Sequence, residues 1–417
     1  MAQSPTRTGD RRGRGIRLLR RRTWFCGACA AAFIAGCAAV VALVVLYHWP
    51  RASVPVYYFT VRPAFVWFGM VAPAFAVGLL GVRWQWVALG VLLWCAGLLA
   101  TEEWVACLRP PAPEAREEFS RAHTAFLASP ADHAGPAPLR IVSWNVLGGR
   151  RGAKAVVEQM AALQPDLVLM QEASETRMAE FIRSSPYFSS FHYRDSSTAV
   201  VSRFPVEPVA EDLPRWRGAA YRVTIGPGRT FVCVNVHVRR ADLKTQLVRG
   251  LSWSGLAKAV RQTRAELEGI RSTVARYVDS EPVIVAGDFN LPPHYAGLRR
   301  ALSPLRDCFA RGGSGWGRTA PARMPLVRID MLFAPPDARI FYCAALDTQH
   351  SDHLLLLAEI ALPLTEQEPE SNTQARRAAA DSRPHASSTI ACSLVAAMMG
   401  RLPAHVEAGL RNSVRNP

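Results

Sequence analysis

The 417-residue sequence has no arrangement of cysteines that would build a disulfide framework. Four of its nine cysteines, Cys26, Cys29, Cys37 and Cys95, lie in very apolar stretches. Cys26 and Cys29 have the C-x-x-C spacing of a redox or zinc pair, but neither a second pair nor a βαβ context accompanies them, which disfavours both roles. Cys308 and Cys343 could pair only if the fold brought them together, and spacing alone does not decide that.

Acidic residues are also scarce, with 33 Asp and Glu against 49 Lys and Arg, which gives a net charge of +16. Much of the excess lies in residues 1–22, where eight arginines against Asp10 give +7 and leave +9 for the rest of the chain. A basic balance can indicate nucleic-acid binding. The concentration of arginine at one end instead predicts a basic, disordered arm over residues 1–22.

Charge is absent from residues 24–47, which are nearly all apolar. That is long enough to cross a bilayer as a helix, which needs about 20 residues. Two further apolar stretches follow at 63–81 and 84–100, and aromatic residues gather near the ends of the stretches, as interface anchors do. We therefore predict three transmembrane helices within residues 23–104, with the lipid bilayer as their partner.

Arginine placement predicts the orientation of these helices. The +7 arm should stay in the cytoplasm, and Arg83 falls on the same side. Three crossings predict an integral membrane protein whose large domain is extracytoplasmic, whereas the domain is cytoplasmic if the second stretch does not span. A twin-arginine signal at Arg21-Arg22 and a lipoprotein box ending at Cys37 are alternatives, although the apolar run continues to Tyr47, longer than signal sequences normally are.

The rest of the chain divides into three parts. Residues 105–138 form a charged linker rich in Pro and Ala, in which 114–127 could be a short amphipathic helix. Residues 139–364 alternate predicted strands and helices over a length that suits a single α/β domain. Residues 365–417 are polar and are predicted to be disordered.

The most informative stretch of the α/β domain is Pro282–Asn290. Its apolar run predicts a buried strand, and Gly287 permits close backbone approach at the strand end. In extended chain, Asp288 and Asn290 lie on the same side. A carboxylate there could transfer a proton, and an amide could hold a developing anion. An ordinary Asx turn explains the same residues equally well.

Five other predicted strands carry a polar side chain at or near one end: Asn145, Glu172, His237, Asp330 and the pair Asp352-His353. A Glu that closes an apolar strand is costly to bury unless it is paired, and a hard cation is a natural partner. His237 alone is more simply a structural histidine. Together, polar groups at the ends of sheet strands suit a binding crevice.

Weaker signals lie elsewhere in the domain. Arg264, at the start of a predicted helix, is a candidate phosphate contact. Backbone amides of the glycine-rich loop Gly312–Thr319 could cradle a phosphate, and Trp316 and Thr319 become substrate-binding candidates with that loop. The basic segment 238–260 could be a lid or a membrane-surface contact, although an ordinary solvated loop is the simpler interpretation.

Six short blocks, in order, resemble the signature series of the endonuclease/exonuclease/phosphatase (DNase I-like) superfamily, which includes DNase I-like nucleases, sphingomyelinases and inositol phosphatases. The resemblance covers about residues 139–362. Three helices before such a domain are similar to its membrane-tethered bacterial branch, which is linked to lipid-phosphate hydrolysis. The blocks are Ser143–Val146, Gln171-Glu172, Asn235–His237, Gly287–Asn290, Arg328–Asp330 and Ser351–His353.

The resemblance implies a four-layer α/β sandwich of two packed sheets, here preceded by three transmembrane helices. It also implies a cation site. Glu172 would be the principal ligand of Mg²⁺, or of Mn²⁺ as an alternative, with Asn145 and Asp352 nearby.

The same resemblance assigns catalytic roles. Asp288 would orient or deprotonate the attacking water, while Asn290 and His237 would hold the phosphoryl oxygens. His353 would stabilise the transition state, oriented by Asp330. A cation with an acid/base residue supplies what phosphate ester hydrolysis needs.

We therefore predict a membrane-anchored, Mg²⁺-dependent phosphoesterase acting on a lipid-linked phosphate or pyrophosphate, with no protein partner inferred. The alternative is an extracytoplasmic nuclease, since the basic charge suits a polyanion. AP-endonuclease-like members carry an acidic residue soon after the motif Asn, whereas Val146–Gly149 follow Asn145 here, which disfavours DNA repair. A non-catalytic scaffold is a third alternative, but the chain keeps all the expected site residues.

Overall fold

The computed structural model describes residues 9–48, 64–101, 104–133, 135–194, 198–209, 218–239 and 253–364. The predicted disordered tail over residues 365–417 and most of the basic segment 238–260 lie outside the described residues. The twelve described strands form two mixed six-stranded sheets.

The strands are numbered in chain order: β1 Ala137–Asn145, β2 Leu167–Gln171, β3 Ser190–Arg194, β4 Thr198–Ser202, β5 Val206–Pro208, β6 Gly218–Gly226, β7 Arg229–His237, β8 Val283–Asp288, β9 Arg306–Asp307, β10 Asp330–Ala334, β11 Arg339–Leu346 and β12 Leu355–Leu362. Sheet I has the order β11-β12-β1-β2-β4-β3, and sheet II has the order β5-β6-β7-β8-β10-β9.

The described helices are α1 Gly9–His48, α2 Ala64–Gly78, α3 Trp84–Thr101, α4 Trp104–Leu108, α5 Pro113–Ala128, α6 Ala153–Ala162, α7 Glu175–Arg183, α8 Trp253–Tyr277, α9 Ala296–Leu302 and α10 Cys308–Gly312. A 3₁₀ turn, Leu147–Gly149, follows β1.

The alternation of side chains along each strand separates the domain into four layers, because successive residues point to opposite faces of a sheet. Ile141 of β1 and Ile284 of β8 point between the sheets into one shared core. Trp144 of β1 packs outward with residues of α6 and α7, and Val285 of β8 packs outward with α8 and α9. The predicted α/β sandwich with two packed sheets is confirmed.

Helix α1 is one continuous helix from Gly9 to His48. The prediction of a disordered arm is therefore wrong from Gly9 to Arg22, while residues 1–8 lie outside the described part. Arginine is a good helix former, and once the apolar helix supplies the nucleus, each added residue gains a hydrogen bond at low cost.

Within the described residues, one helix segment, Arg21–Tyr47, is long and apolar enough to cross a membrane. This holds by length and composition only, and a signal sequence near the N-terminus would meet the same criteria. The apolar segments Val66–Gly78 and Trp84–Ala100 are shorter. The first packs on α1 through Phe68 and Phe75, and Trp94 and Leu98 of the second pack against the same cluster. The total of three spans stays a prediction.

The predicted linker over residues 105–138 is largely folded onto the domain, and the short helix expected over 114–127 within it is present as α5, Pro113–Ala128. Helix α5 buries Phe119 and Phe126 completely, and His123 Nε2 lies 2.7 Å from Asp166 Oδ2. The helix has an apolar face that would be costly to leave in water, so it covers the sheets. Before it, Arg109 donates to the carbonyl oxygens of Ala310 and Gly313.

Candidate active site

The strand register brings polar residues from both sheets to one edge. In sheet I, β1 and β2 run parallel, so Asn145 ends β1 beside the point where Glu172 follows β2. In sheet II, β7 and β8 run parallel and end together at His237 and Asp288. The antiparallel β10 begins opposite Asp288, with Asp330. Carboxyl ends of parallel strands share an edge with the amino end of an antiparallel neighbour.

The loop before β12 completes the group. Because β12 pairs antiparallel with β1, its first residues lie near the end of β1. That geometry brings Asp352 and His353 to the edge already occupied by Asn145. The six blocks predicted from the sequence therefore contribute to one location.

One carboxylate oxygen, Asp288 Oδ2, lies at the centre of the site. Asn145 Nδ2 donates to it at 3.1 Å and also donates to Glu172 Oε1 at 3.2 Å, which links the two sheets. The Nε2 atom of His353 lies 3.9 Å from Asp288 Oδ2, and that of His237 lies 4.0 Å from it. Three side chains thus surround a single buried oxygen, and Glu172 adjoins it through Asn145.

The other oxygen of the same carboxylate forms an Asx turn. Asp288 Oδ1 accepts from the backbone N–H of Asn290 at 2.9 Å, and Asn290 adopts a left-handed φ of 49°. Asp288 therefore has both the turn role and the position facing the site that the sequence suggested. The expectation of an extended chain past Asp288 is wrong, because the turn redirects it. Asn290 Nδ2 donates to the carbonyl oxygen of Val238 at 3.0 Å.

His353 and Asp330 form a hydrogen-bonded pair, with His353 Nδ1 2.8 Å from Asp330 Oδ2. Burial alone would lower the pKa of His353. The negative charges of Asp330, Asp288 and Asp352, with the Asp330 hydrogen bond, outweigh it and raise that pKa to about 10. At neutral pH the ring is an imidazolium, so Nδ1–H donates to Asp330 and Nε2–H faces Asp288.

The pKa of Asp288 is raised to about 7. Burial is the largest cause, since it penalises the charged carboxylate, and the negative charge of Asp330 adds to it. The charge of His353 and the hydrogen bonds from Asn145 and the Asn290 backbone oppose the rise. A carboxylate with a pKa near neutrality is suited to accept a proton from water.

Glu172 forms the open side of the site. Its side chain is 43% exposed, whereas that of Asp288 is 2% exposed. Glu172 Oε1 lies 3.7 Å from His237 Nε2, and its left-handed φ of 48° turns the chain away from the strand. Glu172 therefore reaches solvent and also faces the other site residues.

Two residues support the site without facing it. Ser351 Oγ donates to the carbonyl oxygen of Asn145 at 2.6 Å and accepts from the N–H of His353 at 3.2 Å. Gly287 has a φ of 149°, and a Cβ there would lie 1.9 Å from the carbonyl oxygen of Val236. The Ser-Asp-His and Gly-Asp blocks already contained both residues, but only the fold reveals these contacts.

Thr319 also supports the site, which corrects its assignment to substrate binding. It is fully buried, and its Oγ1 accepts from the backbone N–H groups of Ile329 and Asp330 at 3.3 and 3.2 Å. A side chain enclosed in this way positions the start of β10 and has no surface to offer a substrate.

A family model of the Endonuclease/Exonuclease/phosphatase family matches residues 142–353, half of the chain. The chain belongs to the endonuclease/exonuclease/phosphatase family. Members of this family are phosphoester hydrolases, and they are typically dependent on a divalent metal. The match spans every residue of the site described above.

Several known proteins are similar to this family member. An uncharacterized protein of Escherichia coli K12, YbhP, is 29% identical over 219 residues, which cover 48% of this chain and 75% of YbhP. A Danio rerio TDP2 structure in complex with single-strand DNA product has 17% identity and a TM-score of 0.42, covering 54% of this chain and 98% of its own. The mannosyl-6-phosphatase Bt3783 of Bacteroides thetaiotaomicron has 14% identity and a TM-score of 0.40, covering 54% and 100%.

Two other predicted substrate contacts of this endonuclease/exonuclease/phosphatase family member lie away from the site. Arg264 lines a separate cleft between α8 and α9. Trp316 is half-exposed beside Arg318, whose guanidinium carbon lies 4.4 Å from the ring centroid. The glycine-rich loop that holds Trp316 gives backbone carbonyls to Arg109 and Cys107, so part of its backbone serves the attachment of the preceding segment.

Proposed function

We propose that this chain is a membrane-anchored, divalent-cation-dependent phosphoesterase, with a lipid-linked phosphate or pyrophosphate as its substrate class. The observation that carries the proposal is the meeting of two buried Asp, a half-exposed Glu, an Asn and two His at one edge of the sandwich. Within the described residues, these groups come from six separate strand ends. The fold brings them together, so that each has a polar atom 2.8 to 4.0 Å from a polar atom of another group in the set.

The donor set fits a hard cation. Carboxylate and amide oxygens are the ligands that Mg²⁺ and Mn²⁺ prefer, and the Glu172 carboxylate is half-exposed at the open side of the site, where an ion can enter. Ligand atoms of Asp288, Asp330 and His353 lie within 4.8 Å of one another. Because His353 Nδ1 and Asp330 Oδ2 already bond each other, we assign the cation to Glu172 and Asn145, with Asp352 as a further ligand.

A bound cation would neutralise charge on the phosphoryl oxygens. The protein's own residues supply the proton transfer. Asp288, which the neighbouring groups hold in a fixed orientation, takes a proton from water as the new P–O bond forms and the ester P–O bond breaks. His353, kept cationic by Asp330, stabilises the negative charge that develops on the phosphoryl group.

His237 and Asn290 complete the phosphoryl contacts in this proposal. His237 is nearly buried and faces both Glu172 and Asp288, so its Nε2 is aimed at the space between the carboxylates. Asn290 Nδ2 gives one hydrogen to Val238, and the second amide hydrogen is assigned to a phosphoryl oxygen.

The lipid-linked substrate follows from the apolar helix before the domain. A catalytic domain attached to a bilayer meets lipid phosphates at high local concentration. The orientation rests on the arginine-rich start of α1, which favours the cytoplasmic side. With three spans, the domain faces outward. A reporter fused after residue 417 and active only outside the cytoplasm supports that orientation, and one active only inside contradicts it.

The activity test uses the full-length protein in detergent micelles, with Mg²⁺ or with a chelator. The substrates are phosphatidic acid, a polyprenyl pyrophosphate and plasmid DNA, and the variants are Asp288→Asn and, as a matched control, the exposed Asp279→Asn. We expect phosphate release from a lipid that requires Mg²⁺, is lost in Asp288→Asn and is kept in Asp279→Asn. Nicking of plasmid without lipid turnover would favour the nuclease. No turnover of any phosphate ester would count against catalysis.

A further inference from the structure

Helices α8 and α9 enclose a cleft of about 820 Å³ that has no part in the site described above. Its lining includes Arg264 and Arg271 from α8 and Arg300 from α9, with Glu268 as the one acidic residue. Apolar surface between the helices completes it, from Leu267, Tyr295 and Ala301 among others.

The charge of this cleft is positive and partly unpaired. Glu268 accepts two hydrogen bonds from Arg271, at 2.9 and 2.6 Å, which neutralises that pair. In the part of the chain that the structure describes, neither Arg264 nor Arg300 makes a hydrogen bond or an ion pair. Both are exposed. Two guanidinium groups on facing helices can together donate hydrogen bonds to an anion that has several oxygens.

The cleft lies beside the end of the apolar helix. Tyr47, the last residue of the segment that is long enough to span a membrane, contacts the ring of His294 in a tilted arrangement, with ring centroids 4.5 Å apart. Tyr295, which follows His294 in the chain, lines the cleft. Tyrosine at the end of a span marks the level of the lipid headgroups. The cleft is therefore at the height where headgroup phosphates lie.

We propose that Arg264 and Arg300 bind the phosphate of an anionic phospholipid, whose glycerol portion lies on the apolar floor of the cleft. The occupant is a lipid and not a free anion, because the floor between the arginines is apolar and the cleft adjoins the spanning helix. Such a contact would fix the orientation of the domain on the bilayer. It does not depend on catalysis at the site.

The test places the full-length protein in phosphatidylcholine nanodiscs, with or without phosphatidylglycerol. Hydrogen exchange of peptides from α8 and α9 is measured for the parent, for the double variant Arg264→Gln/Arg300→Gln and for the control Arg276→Gln/Arg299→Gln. The control removes two exposed arginines from the same helices outside the cleft. Both pairs leave the site untouched.

We expect protection that requires phosphatidylglycerol, half-maximal in the double variant only at about 30-fold more of that lipid, since each interfacial arginine contributes about 1 kcal/mol. The control should behave as the parent. Three results would each overturn the proposal: protection in phosphatidylcholine alone, equal loss in the control, or competition by inorganic phosphate, which would assign the cleft to a soluble anion.

Discussion

Replacing Asp330 by Asn should move the whole pH profile of the enzyme toward acid. Asp330 is the main negative charge holding the pKa of His353 at about 10. Burial is the main cause that raises the pKa of Asp288 to about 7, and the charge of Asp330 adds to it. In the parent, activity should rise as Asp288 loses its proton near pH 7 and fall as His353 loses its proton near pH 10. Asn keeps the size of the side chain and removes its charge, so both limbs shift downward.

The magnitude follows from the fraction of cationic His353. At pH 8 a group with a pKa of about 10 is about 99% protonated, whereas at its ordinary pKa of about 6.5 it is about 3% protonated. Without Asp330, burial lowers the pKa of His353 while the charges of Asp288 and Asp352 still raise it. With the ordinary pKa as the reference, the expected activity loss at pH 8 is about 30-fold. At about pH 6 the variant should lose little, because Asp288 ionises more readily there.

The assay is the pH dependence of kcat/KM with a soluble chromogenic phosphodiester at saturating Mg²⁺. Asp337→Asn, which removes an exposed carboxylate, is the charge-matched control and should leave both limbs in place. A loss in Asp330→Asn that is uniform across pH would refute the charge argument and leave Asp330 with a purely structural role.

Three further predictions concern single residues. Glu172→Gln should raise the Mg²⁺ concentration for half-maximal activity by at least about tenfold, because a charged oxygen ligand is lost; activity is measured against Mg²⁺. Gly287→Ala should lower the free energy of unfolding by more than about 4 kcal/mol, since its Cβ would lie 1.9 Å from the Val236 carbonyl oxygen; thermal melting measures this. Ser351→Ala should lower both the melting temperature and kcat/KM, because it leaves the buried Asn145 carbonyl without its hydrogen bond, which costs about 1–3 kcal/mol of folding free energy.

Each of these has a matched control. Glu175→Gln changes an exposed Glu on α7 and should not alter the Mg²⁺ requirement. Gly69→Ala adds a methyl group where no atom lies within 4 Å and should not lower the melting temperature. Ser184→Ala removes an exposed hydroxyl and should leave kcat/KM unchanged. Equal effects in a variant and its control would contradict the corresponding argument.

The site was partly predictable because strand ends carry a local signal. An apolar run that closes with Glu172 or Asp288 marks a buried strand and a polar end, whatever the topology. The assignment to substrate binding was wrong for Thr319, which is buried, and Arg264 lies in a separate cleft. In both cases the local sequence does not say which surface the side chain faces. A threonine beside a glycine-rich loop suits a phosphate cradle as well as it suits a buried contact to a neighbouring strand.

The sequence by itself determined the chemistry: which side chains close strands, the order of the six blocks, the apolar helix and the excess of arginine. These are local properties, set by composition and by the two-residue period of a strand. Tertiary structure alone decided that Asn145 bridges two sheets through Glu172 and Asp288, and that Asp330 bonds His353. Such contacts join residues up to 143 positions apart, and their distances depend on sheet register and packing, which no local pattern contains.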